Sequence, residues 1–254
     1  MRIILFTQED PFYLCESTDD LISKVHNQTD HQIIHGFITS PSVYGKQESF
    51  RKKALKTFKI FGFKFFIYYS VKYVYRKFLL RKSVFKTIKK HGIDVSFVDD
   101  NINKEKYVQN IKSLGADFIL IIAGNQIIKK QILSSTNYGV FNIHSSLLPK
   151  YKGLMPSFWA LKNNEEETGV TLYKLTEGID DGPIVSQRSL AINNHTTHSI
   201  LVKKLKILAN DLLIDSIDLI AQIDKYIENS SGNYYNFPSR KDILDFTKSN
   251  KKFF

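Results

Sequence analysis

Short runs of Ile, Val, Leu and Phe recur at 2–6, 32–38, 94–98, 118–122 and 139–141, and most are separated by polar or amphipathic stretches long enough for a helix. A strand covered on both faces reads as a continuous apolar run, and parallel neighbours need a crossover between them. The alternation therefore predicts an α/β fold with a mostly parallel sheet flanked by helices. Asp10-Pro11 offers a cap and a first-turn proline for a helix reaching about residue 27. Further helices are expected at 104–114, 127–133 and 156–163, and further strands at 170–175 and 184–190. Leu201, Leu205, Leu208, Leu212, Leu213, Ile217 and Ile220 share one side of a long helix predicted over 197–227, with a short helix at 241–246. The expected organisation is one α/β domain over 1–190, carrying a helical insertion at 46–90, with a C-terminal helix and tail over 191–254 packed on it.

A chain of 254 residues with 43% hydrophobic residues can bury a sizeable core. Its one cysteine, Cys15, has no partner for an internal disulfide and reads as a small buried hydrophobe, which points to a cytoplasmic chain. The apolar start at 2–6 turns polar at Thr7-Gln8-Glu9-Asp10, too soon for a signal peptide, and no uncharged apolar run reaches the roughly 20 residues of a spanning helix.

The net charge of +11 is uneven. Residues 46–90 hold fifteen Lys or Arg against Glu48, so this window carries +14 and the rest of the chain −3. Twelve of the aromatic residues share it, Phe58, Phe61, Phe65, Tyr69 and Tyr73 near helical spacing, and Gly62 marks a break between helices. Four readings stay open: RNA held by phosphate neutralisation and stacking, peripheral contact with an anionic membrane, a grip on a pyrophosphate, or packing onto the core with the lysines left in water.

The chemistry is concentrated further on. Side chains alternate along a strand, so Asn142 and His144 project from one face with Ile143 turned behind them. Asp180 follows in the loop Gly178-Ile179-Asp180-Asp181-Gly182 and returns to the same place if the flanking strands are neighbours. Acyl transfer to an amine needs a donor for the developing oxyanion, a group that takes the amine proton, and a carboxylate that orients the imidazole. Amide, imidazole and carboxylate supply that set; taken singly, each residue also suits a turn, a core histidine and a solvated loop.

The run Asn142-Ile143-His144-Ser145-Ser146-Leu147-Leu148-Pro149-Lys150-Tyr151-Lys152-Gly153, followed by Pro156, Trp159-Ala160-Leu161, Thr168-Gly169-Val170-Thr171, the Asp180-Asp181-Gly182 turn and Gln187, resembles the folate-dependent formyltransferase family. The resemblance covers 110–190 densely. It implies a Rossmann-like formyltransferase fold, N10-formyltetrahydrofolate as donor, no metal, and Asn142, His144 and Asp180 as the catalytic residues. It also implies a cis Leu148–Pro149 bond. The folate is expected between Ile121, Ile122, Ala123, Gly124, Asn125 and Gln126 on one side and Gly178, Ile179, Asp181 and Gly182 on the other.

Within the family, the member acting on glycinamide ribonucleotide holds phosphate on a glycine-rich turn after its first strand. Here that turn is Thr7-Gln8-Glu9-Asp10-Pro11-Phe12, without glycine and with two acids, which disfavours a phosphate cradle. The initiator-tRNA member carries a β-rich C-terminal domain, whereas only 64 residues follow Leu190 here, so methionyl-tRNA is disfavoured. The best fit is the branch that formylates nucleotide-linked amino sugars for surface polysaccharides. Its acceptor is expected against Gln8, Glu9, Asp10 and Phe12, with Lys150, Tyr151, Lys152 and Gly153 near the diphosphate. A folate or nucleotide-sugar binding module without turnover is the alternative of another class. The apolar side of the 197–227 helix has two uses, a homodimer or packing on the sheet.

Overall fold

The computed structural model describes residues 1–41 and 49–254. Lys46 and Glu48, at the start of the basic window, lie outside the described residues. The first half of the chain runs β1 (Arg2–Gln8), α1 (Leu14–Gln28), β2 (Gln32–Thr39), α2 (Phe50–Phe61), α3 (Phe63–Val74), α4 (Val84–Lys90), β3 (Asp94–Val98), α5 (Glu105–Ser113), β4 (Phe118–Ile122) and α6 (Lys130–Leu133). It continues with β5 (Gly139–His144), β6 (Lys152–Gly153), α7 (Pro156–Lys162), β7 (Glu167–Lys174), β8 (Ile184–Ala191), α8 (His198–Ser216), β9 (Tyr234–Tyr235) and α9 (Arg240–Lys248).

The main sheet has the order β3-β2-β1-β4-β5-β7-β8. Strands β1 to β5 are mutually parallel, and β7 runs antiparallel to both β5 and β8. From β1 the chain builds outward to β2 and β3, then returns to add β4 and β5 on the other side. The strand order thus reverses between β1 and β4, and a crevice opens beyond the carboxyl ends of strands at such a point.

Alternation along β1 divides the core into two layers. Ile3 and Leu5 face the layer built with α1 and α8, while Ile4 and Phe6 face the layer that receives Val108 and Ile111 of α5. Six of the seven apolar residues on the predicted 197–227 stripe, all but Leu208, are fully buried in this chain, so the stripe packs on the sheet. Among the described residues no helix is long and apolar enough to cross a membrane.

Two predicted boundaries move. Helix α1 starts at Leu14, later than Asp10-Pro11 suggested, because the Asp10 carboxylate accepts from Phe12 N at 2.6 Å and closes a local turn instead of capping the helix. The helix expected to reach 227 is α-helical only to Ser216 and tightens to 3₁₀ geometry over Ile217–Ala221. The described part of the insertion is helical and breaks at Gly62, whose φ of 84° disfavours any side chain. Helix α3 continues into a single π turn at Tyr75–Leu79.

Candidate active site

Strand β5 ends where the crevice opens and presents Asn142 and His144 to it, while Ile143 is buried on the opposite side. The antiparallel register places Tyr173 of β7 opposite Asn142 and Thr171 opposite His144. Tyr173 Oη donates to Asp180 Oδ1 at 2.6 Å and accepts from Asn142 Nδ2 at 3.1 Å. Since the hydroxyl proton is given to the carboxylate, the Asn142 amide must turn its NH₂ group to Tyr173, and its second N–H is left for another acceptor. Burial and the neighbouring Asp180 charge push the Tyr173 phenol well above its ordinary pKa, so it remains a donor.

Asp180 adopts a left-handed conformation with φ of 50°. Its other oxygen, Oδ2, accepts from Gly153 N at 2.7 Å and lies 3.6 Å from His144 Nδ1. The imidazole Nε2–H donates to the Tyr151 carbonyl at 2.8 Å. A carbonyl oxygen only accepts, so the neutral ring carries its proton on Nε2 and keeps a lone pair on Nδ1, beside the carboxylate. Asp180 was expected to orient the imidazole; its tautomer is set here by the Tyr151 carbonyl. The loop bearing Asp180 is tied down by Asn229 Nδ2, which donates to the carbonyls of Asp180 and Gly182 at 2.9 and 3.1 Å. Gly182 passes so near Lys174 O that a Cβ would sit 1.8 Å from it, which explains why glycine closes this turn.

Thr171 and Gln187 support the loop after His144. Thr171 Oγ1 donates to Ser146 O and accepts from Leu148 N, and Gln187 Nε2 donates to Leu148 O and Thr171 Oγ1. The Leu148–Pro149 bond is cis, as the resemblance implied.

Asn142, His144, Tyr173 and Asp180 form the floor of a cleft of about 310 Å³. Of the expected contacts, Gln8, Ile121, Gly124, Asn125, Gln126, Gly153, Gly178 and Ile179 line it together with Asn142, His144 and Asp180. The others stand elsewhere. Ile122 and Ala123 belong to the strand end behind the cleft, and Asp181 accepts from Thr176 Oγ1. Glu9 turns to α4, whose first backbone groups at Val84 and Phe85 donate to its carboxylate at 3.0 and 3.1 Å. Asp10 closes its turn, and Phe12 packs edge-on to Tyr69. Lys150 extends to Glu165, the Tyr151 hydroxyl donates to Glu165, and the buried Lys152 reaches Ser230 O. No lysine or arginine is among the described residues lining the cleft.

Sequence reasoning missed Tyr173, Leu175, Leu154, Met155, Tyr234 and Phe237, all of which line the cleft. The first two are at the end of a predicted strand; the β5–β7 register sets Tyr173 opposite Asn142, and Leu175 N donates to Val140 O of β5 just beyond it. The last two come from the tail, where β9 pairs with β6. Cys15 is buried away from the cleft, and burial with nearby acids pushes its thiol up to about 12, so it is a poor nucleophile. Among the described residues no group of three His, Cys, Asp or Glu could hold a metal ion.

A sequence model of the formyl transferase family matches residues 72–217. The methionyl-tRNA formyltransferase of Thermodesulfovibrio yellowstonii is 38% identical over 119 residues, covering 47% of this chain and 39% of that protein. Among solved structures, phosphoribosylglycinamide formyltransferase from Bacillus halodurans superposes with a TM-score of 0.61 at 20% identity, over 89% of this chain and 96% of the other. An N-formyltransferase from Helicobacter canadensis, solved with folinic acid and dTDP-3-aminofucose, gives 0.55 at 19% identity, over 95% and 72%. At these identities the two structures establish a shared fold. The chain spans about half or less of the curated relatives it matches.

Proposed function

We infer that this chain, which belongs to the formyl transferase family, transfers a formyl group from N10-formyltetrahydrofolate to the amino group of a nucleotide-linked amino sugar. The observation that carries the reading is the bonded series Asn142–Tyr173–Asp180, with His144 Nδ1 facing the same carboxylate at the floor of one cleft.

The free N–H of Asn142 is suited to the carbonyl oxygen of the formyl group as negative charge develops on it. His144 Nδ1 is suited to the proton that the attacking amine sheds, and the imidazolium so formed lies against Asp180. Tyr173 keeps Asn142 and Asp180 in mutual register, and the Tyr151 carbonyl holds the imidazole in the tautomer this needs. The donor supplies an activated formyl carbonyl; as the new C–N bond forms, the bond from the formyl carbon to N10 breaks, and tetrahydrofolate leaves with N10 taking up the proton that His144 holds. The donor's flat ring system suits the walls made by Ile121, Ile127, Ile128, Leu175 and Ile179, with backbone groups at the edge.

A cleft lined by Glu177 and Asp180 and by no described cation suits an amine better than a phosphate. The rings of Tyr234 and Phe237 flank it and suit a sugar or a base. A second reading, methionyl-tRNA as acceptor, draws on the 38% identity to the Thermodesulfovibrio protein and on the basic insertion.

The deciding experiment incubates the protein with N10-formyltetrahydrofolate and, in turn, dTDP- and UDP-linked amino sugars including dTDP-3-aminofucose, methionyl-tRNA and glycinamide ribonucleotide. Mass spectrometry then looks for the gain of one formyl group. A formylated amino sugar supports the proposal. Formylated methionyl-tRNA with no sugar product replaces it with the second reading, and folate binding without any product makes the chain a binding module.

A further inference from the structure

Helix α3 is apolar on two opposite sides. On one, the rings of Phe65 and Tyr69 stack in series with that of Phe61, the last residue of α2, with centroids 4.2 and 4.3 Å apart, and Phe61 and Phe65 meet Phe253 edge-on. On the other, Phe63, Ile67, Val71 and Val74 recur every third or fourth residue, followed by Phe78 in the π turn, with exposures of 67, 44, 64, 50 and 64%. At roughly 100° per residue the two series lie on opposite faces, so core packing accounts for only the first. Leu55 and Phe58 of α2 are exposed as well. A run of apolar side chains this continuous in water marks a docking face.

Its chemistry selects the occupant. Residues 49–90 contain fourteen Lys or Arg and no Asp or Glu, and Arg51, Lys52, Lys59, Lys64, Lys77 and Arg81 are exposed around the stripe. A second copy of the chain would set like charge against like charge. RNA would use the cations, but the aliphatic Ile67, Val71, Val74 and Leu79 have no ring face on which a base can stack. An anionic bilayer surface uses both halves of the pattern: the apolar side chains enter the boundary between headgroups and acyl chains, and the cations meet lipid phosphates. Helix α3 has 12 residues, a length of about 18 Å, and so is suited to lying on a bilayer rather than crossing it.

We propose that the α2–α3 hairpin docks the protein on an anionic membrane surface through Phe63, Ile67, Val71, Val74 and Phe78. The hairpin adjoins the cleft through the side opposite its docking face: Phe61 packs on the cleft-lining Phe237 with centroids 6.0 Å apart, and Arg240 donates to Ile60 O at 3.1 Å. The inference stands independently of the acceptor.

Vesicle flotation with the whole chain tests it, using phosphatidylcholine alone and mixed with phosphatidylglycerol. The parent should float with the mixed vesicles and not with neutral ones. Phe63→Ser, Ile67→Ser, Val71→Ser and Val74→Ser combined should lower partitioning roughly tenfold or more, as should Arg51→Gln, Lys59→Gln and Lys64→Gln combined. Ile200→Ser with Ile207→Ser, on exposed positions of α8, should leave it unchanged. A single Val71→Trp variant guards against misfolding of the fourfold change, and brominated phosphatidylglycerol should quench its fluorescence. The idea fails if the parent ignores anionic vesicles, or if the Val71→Trp signal is not quenched. It fails equally if the parent binds polyuridylate but not vesicles, or if the stripe supports concentration-dependent dimers without vesicle binding.

Discussion

At Asn142 the side-chain amide has two N–H groups, and Tyr173 takes one of them. The remaining N–H, the Nδ1 lone pair of His144 and the Asp180 carboxylate are the groups proposed to act, so substitutions there should separate cleanly. Asn142→Ala and His144→Ala should each lower turnover by about 10² or more with the fold intact by circular dichroism. Asp180→Asn should resemble the histidine variant. Asp181→Asn should matter less, because that exposed carboxylate accepts from Thr176 Oγ1 and does not itself line the cleft. Tyr173→Phe removes a hydroxyl that touches both partners and should reduce kcat about tenfold with little change in KM, the pattern of a positioning residue. A near-parental rate for His144→Ala in the formylation assay would remove it as the base. Asn142, His144 and Asp180 were legible in the sequence because strand alternation and motif spacing are local properties. Tyr173 was not, since its role arises from which strand lies beside β5.

Among the elements, α4 shows how a functional expectation and a structural role compete for one residue. The sequence suggested that Glu9 faces the acceptor, yet its carboxylate accepts from the first backbone groups of this short helix. A carboxylate at a helix N-terminus satisfies orphan N–H groups and complements the dipole. Glu9→Ala should therefore cost about 1–2 kcal/mol in chemical denaturation while leaving the KM for the acceptor within about twofold. A raised KM at unchanged stability would return Glu9 to the acceptor. The two moved helix ends are local as well. The Asp10 carboxylate closes a turn before α1, and the chain after Ser216 tightens to 3₁₀ geometry while Ile217 and Ile220 stay buried in the core.

Across the whole molecule, the tail is joined to the core at a point that titrates. His198, at the start of α8, has its ring against Phe253, its backbone N–H donating to Lys252 O, its Nε2 3.3 Å from Ser157 Oγ, and its Nδ1 buried with no partner among the described residues. Burial lowers its pKa from 6.5 to about 4. The unfolded chain therefore takes up this proton first on acidification. The resulting stability is complete above about pH 6.5 and is lost as pH falls toward 4, an effect of about 2–3 kcal/mol. Thermal unfolding between pH 7 and 4.5 should show a smaller loss for His198→Phe than for the parent, and equal losses would exclude this histidine as the source. The sequence by itself determined the alternating α/β order, the strand that carries Asn142 and His144, the loop that carries Asp180 and the uneven charge, because each is written in neighbouring residues through period, spacing and composition. Only the tertiary structure decided that Tyr173 joins the site, that Tyr151 sets the imidazole tautomer, that Tyr234 and Phe237 reach the cleft and that Glu9 leaves it. Those contacts depend on strand order and on the path of a tail more than 50 residues beyond Asp180, and no local pattern encodes which distant segments a fold brings together.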